Sequence, residues 1–216
     1  FIPIAEDNGM INPIGRWVLQ ESCRQLREWQ TKFPACQHLT INVNLSGKQF
    51  SQPNLIDVIR ETLEKTGLSA SFLKLEITET VIMENAESAA VMLNELKALG
   101  SQLAIDDFGT GYSSFSHLHR FPIDTLKIDR AFISRMDASA ESSEIVRTML
   151  TLAHNLKMSV VAEGIETAAQ VKQLRTLGCE YGQGYFLNRP MCAENAEKVV
   201  AQEAQSGSHL SLVTGQ

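Results

Sequence analysis

The sequence predicts an α/β fold built on parallel strands, and three observations support this. Short runs rich in β-branched residues alternate with longer amphipathic stretches along most of the 216 residues. Glycine stands just past several of these stretches, where helices commonly end. A hydrophobic content of 44% is enough for one sizeable core. Strand–helix–strand repetition requires right-handed crossovers, so a doubly wound sheet and a barrel both satisfy the pattern.

Six segments carry the strand pattern. They cover residues 39–46, 73–79, 102–108, 125–129, 160–164 and 181–187. Apolar and polar residues alternate in them, as Leu75 and Ile77 do with Glu76. Since a strand has a period of two residues, we expect the apolar set to pack on helices and the polar set to face inward.

Helices are predicted between these strands. The first begins after Asn12 with Pro13 at its first helical position, and the second runs from near Pro53 to Gly67. The fifth ends at Gly178, the last covers 193–204, and residues 206–216 are predicted to be a flexible tail. The expected apolar faces of the first, third and fourth helices are Ile14, Trp17, Val18 and Leu26; Val91, Leu93, Leu96 and Leu99; and Ile145, Met149, Leu152 and Leu156.

Composition excludes some classes of function. The net charge is −6 and the basic residues are scattered, which argues against binding to long nucleic acid. No apolar run approaches the roughly 20 residues of a membrane helix, so no membrane contact by this domain is expected. The four cysteines form no CxxC pair and are interpreted as small buried apolar residues in a reducing compartment. A cytoplasmic domain is therefore predicted, and its start at Phe1 suggests a piece of a longer protein.

Polar side chains gather at the carboxyl ends of the predicted strands. In parallel barrels these ends converge on one mouth, where catalytic groups lie. The residues expected to meet there are Asn44, Glu76, Asp106, Asp107, Lys127, Glu163 and Gln183.

Such a group of carboxylates needs cations, because bare anions repel one another in a small site. Oxygen ligands without cysteine or histidine favour Mg²⁺ or Mn²⁺ over Zn²⁺. Two such ions would suit phosphodiester hydrolysis, with Lys127 orienting a water or offsetting phosphoryl charge. As alternatives, a single acid at a strand end can cap the next helix, and Asp106–Asp107 can simply begin a loop.

Six motifs in the chain, in order, are VNLS, LEITE, DDFGTGYSS, LKIDRAF, VVAEGIE and QGYFLNRP. In this order and spacing they resemble the EAL family of cyclic-di-GMP phosphodiesterases over about residues 1–200. The resemblance assigns residues 1–205 to one such domain. It implies a TIM-type (β/α)8 barrel with an antiparallel first strand, and hydrolysis of cyclic-di-GMP to linear pGpG with Mg²⁺ or Mn²⁺.

The resemblance also implies roles for individual residues. Asn44, Glu76 and Asp106 resemble ligands of one metal, and Asp107 resembles a ligand of the second. Glu163 is similar to a metal-associated residue that helps to position water, Lys127 to the lysine that hydrogen-bonds the nucleophilic water, and Gln183 to an orienting residue. The family's mobile loop and the residue that anchors it correspond to Gly109, Thr110 and Gly111, and to Glu79. Without the resemblance, Gly-Thr-Gly is more typical of a flexible turn.

The chain departs from the family pattern at its start. The Glu-Ala-Leu motif is absent, and FIPIAEDNGMI resembles the segment just downstream of it. We therefore expect the barrel's first two strands to be missing, together with a metal-ligating glutamate and an arginine that contacts substrate. Impaired activity of this chain, a non-catalytic cyclic-di-GMP receptor and a dimerisation module remain alternatives. The resemblance further implies a homodimer formed through residues around 108–135, and regulatory domains elsewhere in a parent protein that can be membrane-anchored.

Overall fold

The computed structural model describes residues 1–111, 118–137 and 139–206. Its helices and strands are, in chain order, α1 (Ile2–Asp7), α2 (Ile11–Lys32), β1 (Ile41–Leu45), α3 (Gly47–Phe50), α4 (Leu55–Thr66), β2 (Leu73–Thr78), α5 (Glu79–Glu84), α6 (Ala86–Ala98), β3 (Gln102–Phe108), β4 (Thr125–Ile128), α7 (Arg130–Ile133), α8 (Ala140–Asn155), β5 (Ser159–Ala162), α9 (Ala168–Thr176), β6 (Tyr181–Gly182) and α10 (Ala193–Ser206).

The chain divides into two compact units. In the described part, unit 1 comprises residues 1–77, 94–102 and 191–206, and unit 2 comprises residues 78–93 and 103–190. Short 3-10 turns at Pro34–Cys36 and Ala70–Phe72 precede β1 and β2.

Unit 1 contains a parallel pair of strands, β1 and β2, covered by helix α2. Asn44 lies opposite Glu76 in the register of this pair. Helix α2 packs against β1 and α4 and buries Leu19, Cys23 and Leu26. Spacings of four and three residues place these side chains on one face, and burial of each large apolar side chain contributes about 1.5–3 kcal/mol.

Helix α2 differs from its prediction in its start and in its buried face. It begins at Ile11 rather than after Asn12, so Pro13 is its third residue. The first-turn N–H groups have no intrahelical partner, and a proline costs nothing there. The expected core position of Trp17 is wrong, because this side chain is 63% exposed, whereas Trp29 is buried.

Unit 2 contains four parallel strands in the order β3-β4-β5-β6. The order follows the chain without reversal, which favours a barrel arrangement over a doubly wound sheet, since the latter reverses at a switch point. All four residues of β4 are buried, as expected for a parallel strand covered on both faces. Helix α8 packs against β4 and β5.

The predicted apolar face of α8 is out of phase with the core. The side chains that α8 buries are Val146, Leu150 and Ala153. Ile145, Met149 and Leu152 instead line a cavity of about 510 Å³ with Phe108. When a helix has two adjacent apolar stripes, hydrophobic periodicity alone cannot identify the stripe that faces the sheet.

The helix α6 has a similar mismatch at one position. Leu93 and Leu96 are fully buried as expected, but Val91 is 62% exposed. Position 91 lies two residues before Leu93, which places it about 200° away around the helix and so outside the buried stripe.

The last predicted strand, 181–187, is wrong in length, because β6 contains only Tyr181 and Gly182. The other five strands lie within two residues of their predicted bounds. After β6 the backbone N–H groups of Leu187 and Asn188 both donate to the carbonyl of Gly184, which closes a turn. A run of aromatic and aliphatic letters alone is typical of a strand and does not reveal such a turn.

Gly184 is fixed in place by the backbone of Ile165. A Cβ atom at position 184 would lie 2.2 Å from both the N and the O of Ile165. We expect Gly184→Ala to destabilise the protein by about 3 kcal/mol, because backbone atoms held in neighbouring hydrogen bonds cannot move aside cheaply. Thermal or urea unfolding measures this.

The control is Gly9→Ala, since Gly9 has a left-handed φ of +78° but no atom within 4 Å of the added Cβ. Gly9→Ala should lower the free energy of unfolding by only about 1 kcal/mol, which is the cost of placing a residue with a Cβ in the left-handed conformation. Equal losses for the two variants would contradict the steric explanation for Gly184.

The four cysteines divide by environment. Cys23 and Cys36 are buried, which confirms the prediction for these two. Burial raises the pKa of the Cys23 thiol to about 12. Cys179 is only partly buried, and Cys192 is exposed, so the prediction is wrong for Cys192, which lies outside any helix or strand between β6 and α10.

Two further predictions concern the chain ends and membranes. The predicted tail lies outside the described residues except for Ser206, which ends α10. Among the residues that the structure describes, no helix combines the length and the apolar character needed to cross a membrane.

Candidate metal centre

A backbone irregularity in β3 brings two consecutive aspartates to the same place. The register between β3 and β4 shifts between Ile105 and Phe108, so that Asp106 and Asp107 form a bulge. Asp107 has a φ of +52°, an uncommon left-handed conformation for a residue with a side chain. In a regular strand neighbouring side chains point to opposite faces, whereas this bulge lets both carboxylates serve one cluster.

The cluster contains Asp106, Asp107 and Glu163. One carboxylate oxygen from each lies within 4.8 Å of the others. Glu163 directly follows β5, and its N–H donates to the carbonyl of Ile128 on β4 at 3.1 Å. Strand pairing therefore fixes where this carboxylate enters the cluster.

Lys127 places a positive charge inside the cluster. Its Nζ lies 3.0 Å from Asp106 Oδ1 and 2.8 Å from Glu163 Oε1, and its side chain is 3% exposed. One cation cannot balance three carboxylates, so the cluster retains an excess of negative charge. This excess favours binding of metal cations.

The surroundings of Asp107 disfavour its charged form. Burial is the main cause that raises its pKa, followed by the negative charges of Asp106 and Asp129. Lys127 acts in the opposite direction and lowers it. A carboxyl group in this state gains from any cation that replaces its lost hydration.

Asp129 is a residue that sequence reasoning left out of the site. Its carboxyl interacts with that of Asp107, and it also accepts a hydrogen bond from the N–H of Ala131 at 2.8 Å, which caps α7. The alternation of residues 126–129 could have indicated Asp129, because Lys127 and Asp129 share a strand face opposite Leu126.

The loop after the aspartates is held by two hydrogen bonds and packs closely on Glu79. The N–H of Gly109 donates to Glu79 Oε2 at 2.8 Å, and Glu79 is fully buried. Thr110 Oγ1 donates to the carbonyl of Asp107 at 2.8 Å. A Cβ at Gly111 would approach the Glu79 carboxylate to 3.2 Å. Glu79 thus hydrogen-bonds the start of the loop, and its role as the loop's anchor stays a prediction. Residues 112–117 lie outside the described part of the chain.

Gln183 is fixed by backbone pairing on both sides. Its N–H donates to the carbonyl of Ala162, and its carbonyl accepts from the N–H of Ile165. Its side-chain Oε1 is buried and has no hydrogen-bond partner among the described residues. A buried acceptor of this kind is available for a water or a ligand.

In unit 1 the two predicted metal ligands Asn44 and Glu76 are register partners on β1 and β2. Glu76 is buried and accepts a hydrogen bond from Asn42 Nδ2 at 2.7 Å. Asn42 was not among the predicted site residues, though it shares a strand face with Asn44. The role of Asn44 and Glu76 as metal ligands stays a prediction.

Comparison with known proteins matches residues 1–190 to the EAL domain family. The chain is 44% identical over 201 residues to the bifunctional diguanylate cyclase/cyclic di-GMP phosphodiesterase MucR of Pseudomonas aeruginosa, covering 93% of this chain and 29% of that protein. It is 43% identical over 191 residues to the cyclic di-GMP phosphodiesterase NbdA of the same organism, covering 88% of this chain and 24% of that protein. The chain thus spans about a quarter of the length of these curated relatives.

Solved structures give the same result. The PaMucR phosphodiesterase in complex with c-di-GMP superposes with a TM-score of 0.88 at 44% identity, covering 91% of this chain and 78% of that one. The FimX EAL domain from Pseudomonas aeruginosa bound to c-di-GMP gives a TM-score of 0.79 at 25% identity, covering 88% of this chain and 74% of that one. These similarities confirm the predicted fold class, and they show that the chain belongs to the EAL domain family.

Proposed function

We propose that this chain hydrolyses cyclic-di-GMP to linear pGpG in a metal-dependent reaction. The observation that carries the proposal is the convergence of Asp106, Asp107 and Glu163 around Lys127 in unit 2. The names of MucR, NbdA and the c-di-GMP complex of PaMucR support the choice of substrate.

The donor set fits Mg²⁺ or Mn²⁺. All three clustered ligands are carboxylates, which suit hard cations, and their oxygens are close enough to share an ion. When bound, such ions supply an activated water and stabilise charge on the phosphoryl oxygens. The raised pKa of Asp107 supports the fit, since a nearby cation would relieve the repulsion among these acids.

The chain's own residues then have distinct tasks. Lys127 hydrogen-bonds the attacking water and offsets negative charge that develops on the phosphate. The carboxylates of Glu163 and Asp106 both contact Lys127 Nζ. Glu163 therefore lies next to the same water, accepts a hydrogen bond from it and orients it. Gln183 contributes the buried Oε1 acceptor that fixes a water or a polar atom of the nucleotide.

The test combines metal binding with turnover. The chain is titrated with Mn²⁺ by calorimetry and then incubated with cyclic-di-GMP and Mn²⁺ or Mg²⁺, and pGpG is followed by chromatography. We expect saturable Mn²⁺ binding, and pGpG formation that EDTA abolishes. Glu163→Gln, purified in the same way, should form no pGpG, which excludes a contaminating hydrolase.

Other outcomes distinguish the alternatives. Binding of cyclic-di-GMP without turnover, with Mn²⁺ bound, would contradict hydrolysis and support a receptor. Absence of both metal and nucleotide binding would contradict both functions.

We also propose that the chain forms a homodimer. The apolar stripe of Ile145, Met149 and Leu152 supports this, because it lies outside the core face of α8 and Ile145 is 42% exposed. A mass measurement in solution should give twice the chain mass, and a monomer at all concentrations would contradict the proposal.

A further inference from the structure

Two apolar side chains, those of Met149 and Phe132, lie against Gly109. A Cβ at position 109 would lie 2.6 Å from Met149 Cε and 2.8 Å from Phe132 Cε2. Real Cβ atoms essentially never come so close to other atoms. The backbone of Gly109, with a φ of +97°, therefore rests directly against Met149 and Phe132.

Gly109 is also fixed by a hydrogen bond. Its N–H donates to Glu79 Oε2 at 2.8 Å, and the fully buried Glu79 cannot shift easily. Gly109 is thus held by a buried acceptor and by an apolar wall formed by Met149 and Phe132.

The position of Gly109 determines that of the metal-ligand candidate Asp107. The two residues belong to one tight turn, closed by the N–H and the hydroxyl of Thr110 on the carbonyl of Asp107. Asp107 has the costly left-handed φ of +52°, a conformation that persists only where its surroundings enforce it. Loosening the turn would let Asp107 relax toward an ordinary strand geometry, which points the carboxylate away from Asp106.

Met149 contacts Gly109 but does not belong to the buried face of α8. It is half-buried and lines the cavity of about 510 Å³, and α8 does not use it for the core. Its contact with Gly109 is therefore not explained by packing of α8 on the sheet. We propose that Met149 is a positioning residue for Asp107: its methyl group backs Gly109, and so holds the carboxylate of Asp107 in the cluster with Asp106 and Glu163.

The proposal rests on the proposed metal-dependent function, and the test uses readouts other than turnover. Mn²⁺ affinity is measured by calorimetry for the wild-type chain and for Met149→Ala. We expect the Mn²⁺ Kd to rise about 10- to 100-fold, the usual effect of removing a group that orients a metal ligand. Hydrogen exchange of the metal-free protein should also show faster exchange of the Gly109 amide. Met149→Leu, which conserves volume, should restore both properties.

Thr148→Ala is the matched control, because Thr148 lines the same cavity on the same helix and supplies none of the three atoms nearest a Cβ at position 109. It should leave Mn²⁺ affinity and exchange at Gly109 unchanged. If Met149→Ala binds Mn²⁺ as tightly as the wild type, the positioning role is wrong while the proposed function stands. If the wild type binds no Mn²⁺, both are wrong. If the two alanine variants weaken Mn²⁺ binding equally, the effect is one of general packing, and the specific role of Met149 is overturned.

Discussion

Lys127→Met should reduce the rate of cyclic-di-GMP hydrolysis by about 10²- to 10³-fold, the usual loss when one preorganised donor to a reacting group is removed. The cause is specific, because Lys127 Nζ lies 2.8 Å from Glu163 and 3.0 Å from Asp106 with its side chain almost fully buried. Methionine has a similar length and no charge, so it fills the space without replacing the hydrogen bonds. Steady-state pGpG formation measures the loss.

The same substitution should also destabilise the metal-free protein by about 3 kcal/mol, the lower end of the range for breaking a buried ion pair. Removal of the ammonium group leaves the carboxylates of Asp106 and Glu163 in mutual repulsion. Added Mn²⁺ should restore most of this stability, since it supplies positive charge to the same acids. It should not restore turnover, because hydrogen bonding to the attacking water depends on the lysine.

Lys172→Met is the matched control, since Lys172 is an exposed residue on α9 in the same unit. It should leave activity and stability unchanged within about 0.5 kcal/mol, as for most surface substitutions. Recovery of turnover in Lys127→Met upon addition of Mn²⁺ would show that Lys127 serves only to balance charge, and would contradict its catalytic role.

Asp107→Asn should have opposite effects on stability and function. The ionised carboxylate of Asp107 is disfavoured by burial and by the charges of Asp106 and Asp129, which together raise its pKa. Asparagine keeps the shape and removes the charge, so the metal-free variant should unfold at a higher temperature than the wild type at neutral pH. Its Mn²⁺ binding and pGpG formation should be lost, because the amide is a weaker ligand than the carboxylate.

The difference in stability between Asp107→Asn and the wild type should depend on pH, and the direction of the pKa shift of Asp107 determines how. Because the folded-state pKa of Asp107 lies above its ordinary value of 3.8, protonation of this group favours the folded state. Its stabilising contribution is therefore fully present below pH 3.8 and is lost as the pH rises through the folded-state pKa. The advantage of Asp107→Asn should be absent in acid, appear as the pH rises through this window and remain constant above it.

Asp137→Asn serves as the control, since it makes the same chemical change at an exposed position in unit 2. Its thermal unfolding should follow that of the wild type across the pH range. A metal-free Asp107→Asn protein less stable than the wild type at pH 7 would show that the carboxylate is a net stabilising group, contrary to the electrostatic argument.

The sequence determined the order of the strands and helices and which polar side chains lie on or directly after the strands. Period-two alternation placed Glu76 and Lys127 opposite buried leucines and isoleucines, and five of the six strands lie near their predicted bounds. Local sequence patterns predict which face of a strand a side chain occupies, because that face depends only on the residue's position along the strand. The motif resemblance determined the family for the same reason, since motifs are read residue by residue.

Tertiary structure decided what local patterns leave ambiguous. Alternation would place Asp107 on the face opposite Asp106, and only the bulge between β3 and β4 turns both carboxylates to one cluster. The stripe of Ile145, Met149 and Leu152 is as apolar as the true core stripe of α8, and the neighbouring strands alone select between them. Contacts between residues far apart in the chain, such as Glu79 with Gly109, have no signature in local periodicity, because they depend on how the strands pair.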